Sequence, residues 1–116
     1  MRTLNFIVDK QIIRQDPSCD FSGLIPGSEG YIQAKFSFSS EWINCTKVAA
    51  FYSLLGTEYE PQILKDGKTC IIPAEALKGR KFKIQVIGKD DELKLTTNKI
   101  VVNQNGGKWW AKQTNY

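Results

Sequence analysis

The 116-residue chain carries 16 Lys and Arg against 12 Asp and Glu, a net charge of +4, with 41% hydrophobic residues and no histidine. That length bounds one domain with a real core, and the apolar content excludes a disordered chain. The missing histidine removes the commonest general base and metal ligand.

In chain order, "TLNFIVD" (3–9) opens with alternation of period two and reads as a strand. Asp9 and Lys10 follow before the apolar stretch of a signal peptide could form, and no apolar run approaches the roughly 20 residues of a membrane-spanning helix. Synthesis and retention in the cytoplasm, with no membrane partner, is the resulting expectation. "DPSCDFSGLIPGSEG" (16–30) is rich in Pro, Gly, Ser and Asp and reads as a long surface connection. "YIQAKFSFS" (31–39) sets Ile32, Ala34, Phe36 and Phe38 on one face and Gln33, Lys35 and Ser37 on the other. Trp42 begins the next segment as a core aromatic whose indole nitrogen needs one partner.

Further strands are expected at 46–55, 58–65 and 68–73, the last two joined by an Asp66–Gly67 turn. "PAEAL" predicts one short helical turn near 73–78, with Pro73 at its start and Gly79 as terminator. "KFKIQVIG" (81–88) then alternates Phe82, Ile84 and Val86 inward with Lys81, Lys83 and Gln85 outward. A polar hairpin at 88–92 leads to strands at 92–98 and 99–104. Seven to eight short antiparallel strands at this spacing describe an all-β sandwich or small barrel. After Gly106 and Gly107 the character changes, so 1–107 is assigned to the sandwich and 108–116 to a C-terminal aromatic arm.

Candidate chemistry is sparse. Asp90, Asp91 and Glu92 repel one another into solvent at a hairpin tip, and Asp16 and Asp20 beside Cys19 suit turn capping, since an activated thiol needs cationic neighbours. The three cysteines, Cys19, Cys45 and Cys70, lack C-x-x-C spacing and are read as reduced, mostly buried thiols. No Gly-rich phosphate cradle is present. The reading is therefore a protein with no catalytic residues, cofactor or metal that works by surface binding. The basic residues are spread singly, even around "KGRKFK" (78–83), which argues against nucleic acid. Carbohydrate binding would require Trp42, Tyr52 and Tyr59 to line up on one face.

The segments 31–53 and 64–107 together resemble the immunoglobulin-like module of tailed-phage tail and baseplate proteins, such as the N-terminal domain of baseplate upper proteins. The residues carrying the likeness are Phe38, Glu41, Trp42, Lys47, Phe51, Cys70, Ile72, Pro73, Glu75, Leu77, Gly88, Thr97, Asn98, Val102, Gly106 and Gly107. The resemblance implies an immunoglobulin-like β-sandwich in which "IPAEAL" carries the chain between sheets and Leu77 plugs the end of the core. It also implies a phage or prophage virion structural or accessory protein, attached to tail, baseplate or capsid through protein–protein contacts. Such a protein is made in the host bacterial cytoplasm and then built into the virion. Its partners would be other phage structural proteins or a second copy of itself. A phage-encoded inhibitor that occludes a host defence enzyme is the alternative. Trp109, Trp110 and Tyr116 are the expected partner anchors, unless they fold back as a last edge strand of their own domain.

Overall fold

The computed structural model describes residues 1–104. Among these residues, nine strands form two sheets. The first holds β1 (Arg2–Asp9), β2 (Ile12–Gln15), β3 (Ile32–Phe38) and β6 (Thr69–Ile71) in the order β2-β1-β3-β6. The second runs β5-β4-β7, from β5 (Gln62–Ile63) through β4 (Thr46–Ser53) to β7 (Lys81–Lys89). Both β8 (Lys94–Thr96) and β9 (Ile100–Asn103) pair with the far edge of β7. The all-β sandwich expected from the alternation is what the chain forms.

The inner faces are the apolar halves of the alternating runs. Leu4, Phe6 and Val8 of β1 and Ile32, Ala34 and Phe36 of β3 face Ala49, Phe51, Phe82, Ile84, Val86 and Val102, all buried in one cluster. Phe6 stacks on Phe36 with centroids 5.4 Å apart, near the spacing that aromatic pairs favour. Period-two alternation thus becomes two dry layers of side chains.

Three details differ from the expected strands. First, β1 and β3 are parallel, from Arg2↔Ile32 to Val8↔Phe38, although the pattern suggested antiparallel strands throughout. Parallel neighbours need a connection of a dozen residues or more, and β2 with the 16–31 loop supplies it. That loop also contributes to the core, burying Leu24 and setting Phe21 edge-on to Phe6 at 5.3 Å. Secondly, β2 forms a hairpin with β1 through Lys10, which adopts φ 54 without the Asn or Gly that would have announced the turn. Thirdly, the expected strand at 58–65 shrinks to Gln62–Ile63, because Pro61 has no N–H to give the ladder.

The connections close the sandwich on its flanks. The Asp66–Gly67 turn, with φ 54 and 68, links β5 in one sheet to β6 in the other, and Lys65 bridges Thr69. On the opposite flank the registers of β8 and β9 on β7 differ by one residue, so the two form one edge ribbon interrupted by a bulge at Thr97–Lys99. The bulge turns Asn98 toward β2, where its Oδ1 accepts from the Ile13 N–H at 2.8 Å and its Nδ2 donates to the Ile13 carbonyl at 3.4 Å. Asn98→Ala leaves a part-buried N–H unpaired and is expected to cost about 1–3 kcal/mol, read as a lower urea midpoint with unchanged slope.

At one end, the one-turn helix α1 (Ala74–Leu77) carries the chain from β6 to β7, and Leu77 is buried beneath it, as expected for the "IPAEAL" turn. The Gln104 amide donates to the Leu77 and Gly79 carbonyls at 3.0 and 2.8 Å, satisfying the end of that turn. At the other end a 3-10 turn (Ser40–Trp42) seats Trp42, fully buried, with Nε1 donating to the Lys10 carbonyl at 2.8 Å.

Candidate functional site on the outer face of the second sheet

Residues two apart on a strand share a face, so the outward positions of the second sheet follow from its inward ones. They are Thr46, Val48, Ala50 and Tyr52 on β4, Ile63 on β5, and Lys81, Lys83, Gln85, Ile87 and Lys89 on β7. The edge ribbon adds Lys94, Thr96, Val101 and Asn103. Val48 lies directly opposite both Ile63 and Ile87, and Ile87 opposite Thr96. One row therefore crosses four strands with isoleucine, valine and isoleucine side by side, and Ile63 is 74% exposed.

Beside that row the face is rigid and polar. The Tyr52 hydroxyl donates to Gln85 Oε1 at 2.9 Å, and Gln85 Nε2 donates to the Thr97 carbonyl at 2.7 Å. The Lys99 ammonium sits 4.0 Å from the centre of the Tyr52 ring. Burial, then the nearby Glu58 carboxylate, push the Tyr52 phenol above its ordinary value.

Lysines bracket the row. Lys81 and Lys83 stand at one end of β7, and Lys89 stands directly across from Lys94 at the other. Like charges opposite each other on a sheet are destabilising, so folding alone does not favour the Lys89–Lys94 pair. Four of the singly spread lysines of the sequence, Lys81, Lys83, Lys89 and Lys94, are thus gathered on one face. Among the described residues no position of a named strand on this face carries a carboxylate; the acids beside it are Glu58, bridged to Tyr52, and those that follow Lys89 in the β7–β8 hairpin. An open depression of about 860 Å³ lies at that end, lined by Thr46, Val48, Ile87, Lys89 and the Asp90–Glu92 tip.

The other sequence candidates fall elsewhere. Asp90 Oδ1 accepts the backbone N–H groups of Glu92 and Leu93 at 2.8 and 2.9 Å, which holds its carboxyl below the usual range and builds the hairpin. Asp16 and Asp20 accept from the backbone N–H and hydroxyl groups of Ser18 and Ser22, and those bonds lower both carboxyls. Between them Cys19 is half-buried, its sulfur accepting the Asn5 N–H at 3.3 Å. The aromatic trio considered for carbohydrate does not line up. Trp42 is fully buried, Tyr59 packs against the core, and Lys99 covers Tyr52. Trp109, Trp110 and Tyr116 lie outside the described residues, the last of which is Gln104.

The Ile63–Val48–Ile87 row was not singled out from the sequence. Its one signal is Ile87, which breaks the outward run Lys81, Lys83, Gln85 of an otherwise half-wet strand.

Fold and face together define a two-sheet β-sandwich with a lysine-bracketed apolar row on one outer surface. No protein-family model, curated protein or solved structure matches the chain.

Proposed function

We propose that the chain is a protein-binding module of a tailed-phage particle, a virion structural or accessory protein that engages a neighbouring component through the outer face of its second sheet. The observation that carries the binding part is the lysine-bracketed Ile63–Val48–Ile87 row, in which Ile63 is exposed and Val48 and Ile87 are half-buried. Apolar side chains on a pre-ordered sheet bury area without ordering a loop, and the lysines select a partner rim rich in carboxylates.

The phage assignment draws on the resemblance described above, and the strand order supports its immunoglobulin-like part. The adjacent β3 and β6, facing a sheet of β5, β4, β7 and β9, follow the B–E and C′–C–F–G neighbours of that fold. The parallel β1–β3 pair departs from it.

The test uses purified particles. The full chain is expected to co-purify with virions, and Ile63→Asp, a change at an exposed site, is expected to weaken that association about tenfold or more at unchanged melting temperature. A chain absent from virions and present only in infected-cell lysate points instead to the inhibitor of a host defence enzyme. Incorporation unaffected by Ile63→Asp moves the contact to another surface.

A further inference from the structure

We propose that the end of β3, the 66–68 turn and Lys47 together bind an extended acidic peptide segment of a partner protein, which adds as a strand beside Phe38 where β6 stops. The Ser39 N–H donates to the Val8 carbonyl at 2.9 Å, so the odd residues of β3 turn their polar groups toward β1. The even residues turn theirs toward β6. The Ile72 N–H donates to the Ile32 carbonyl at 3.0 Å, and the Phe36 N–H donates to the Lys68 carbonyl at 2.9 Å. Continued by two residues, that register would set residue 66 across from Phe38. Asp66 and Gly67 instead adopt φ 54 and 68, and the Gly67 and Lys68 N–H groups close the turn on the Leu64 and Lys65 carbonyls. The Lys68 N–H is thereby held inside the turn and does not reach the Phe36 carbonyl. That carbonyl and both polar groups of Phe38 have no backbone partner among the described residues, and a strand edge in this state accepts a further strand.

The surroundings of that edge select for charge. A cavity of about 600 Å³ opens there, lined by Lys35, Lys47 and Lys68 against a single carboxylate, that of Asp66. Lys47 has the inward phase of β4, two residues before Ala49 and four before Phe51, both of which are core, and it is half-buried. Its ammonium donates to the Cys45 carbonyl at 3.3 Å and lies 5.1 Å from the centre of the Phe38 ring. The turn closes on it from the other side, where a β-carbon at Gly67 would stand 3.4 Å from Nζ. An ammonium carries three donors, so two remain for a ligand. An apolar strand entering beside Phe38 would strip water from this charge and return nothing, whereas a carboxylate would pair with it. The residue across from Phe38 shares its inner side, so that position takes the acidic side chain. Ile43, 77% exposed, gives the same groove an apolar lip. The groove is distinct from the outer face of the second sheet, and the proposal does not rest on the function assigned to that face.

Two capped heptapeptides, one alternating Glu and Thr and the other Gln and Thr, serve as probes, with inorganic phosphate as the small-anion control. Each is titrated into the isotope-labelled full chain and followed by NMR. The Glu peptide is expected to shift amide signals at 35–40, 43–47 and 66–68 and to slow exchange of the Phe38 amide at least about tenfold. The Gln peptide should bind at least about tenfold more weakly. Lys47→Met, which keeps the stem and removes the charge, should cost at least about tenfold in affinity while the Ile84 amide stays protected. Lys68→Met, at an exposed position, should weaken binding in the same direction without touching the core. Equal affinity for the two peptides overturns the proposal, as does absence of binding at millimolar peptide or a set of shifts confined to the outer face of the second sheet. Phosphate that reproduces the shifts, with no slowing at Phe38 from the Glu peptide, assigns a small-anion site and overturns strand addition.

Discussion

Gly88→Ala is expected to destabilise the fold by about 1–3 kcal/mol, although it adds a single methyl group. A β-carbon at Gly88 would stand 2.7 Å from Cε3 and Cζ3 of Trp42 and 3.1 Å from the Cys45 β-carbon. The backbone there is ordinary strand, so the requirement is for space, not for a conformation that only glycine adopts. The indole has little freedom to yield. Its nitrogen is held by the Lys10 carbonyl at 2.8 Å, and the Phe38 ring lies 5.3 Å from its own. Removing the indole altogether is worse: Trp42→Ala is expected to cost about 3–5 kcal/mol, from lost burial and the cavity left behind. Because Cε3 and Cζ3 belong to the six-membered ring, Trp42→Phe should relieve part of the alanine clash. A double-mutant cycle from urea unfolding is expected to show a coupling of about 1 kcal/mol between positions 42 and 88. Simple additivity of the two changes would mean that the contact is not what makes glycine necessary.

The same contact shows how far sequence reading reached. Trp42 as a core residue needing one partner was legible, because an aromatic entering a strand pattern has few other places to go. That its partner would be the Lys10 carbonyl was not, since Lys10 sits in a hairpin whose positive φ is carried by a lysine. The long strands β1, β3 and β7 were legible because each alternates over about seven residues, and β4 because its run from Val48 to Tyr52 is apolar throughout. β5 was overdrawn and β2 missed because two to four residues hold too little alternation to announce themselves. The parallel β1–β3 pair is a long-range choice that no local pattern encodes.

The candidate face was the least legible part. Alternation names the residues that point out of a strand, but which outward residues become neighbours depends on inter-strand register. Ile63, Val48 and Ile87 are distant in sequence and adjacent only after β5, β4 and β7 pair. The lysine bracket was hidden for the same reason. Lys89 and Lys94 are read as two charges about a loop until the hairpin sets them across from each other.

Alkaline pH is expected to destabilise the protein through Cys70. Its thiol lies on β6 opposite Ala34, and burial pushes its pKa from 9.0 up to about 12. The folded-state value exceeds the unfolded one, so the thiol's contribution is fully present below about pH 9. Between there and about pH 12 the unfolded chain gives up this proton while the folded chain keeps it, and stability falls as pH rises. At about 1.4 kcal/mol per pKa unit, the loss across the window reaches at most about 4 kcal/mol. The Tyr52 phenol, also raised by burial, moves stability in the same direction, so the wild-type curve alone does not isolate the thiol. Cys70→Ala does: urea midpoints followed from pH 8 to 11 should fall less steeply in the variant, the two curves converging as pH rises. Native-state labelling with a thiol reagent at pH 8 gives a second readout. Cys70 should react about a thousandfold more slowly than an unperturbed thiol, because the thiolate is the nucleophile and its population scales with that displacement. Parallel pH curves for wild type and Cys70→Ala, together with rapid labelling of Cys70, would show that the first sheet opens at β6 far more readily than its packing implies.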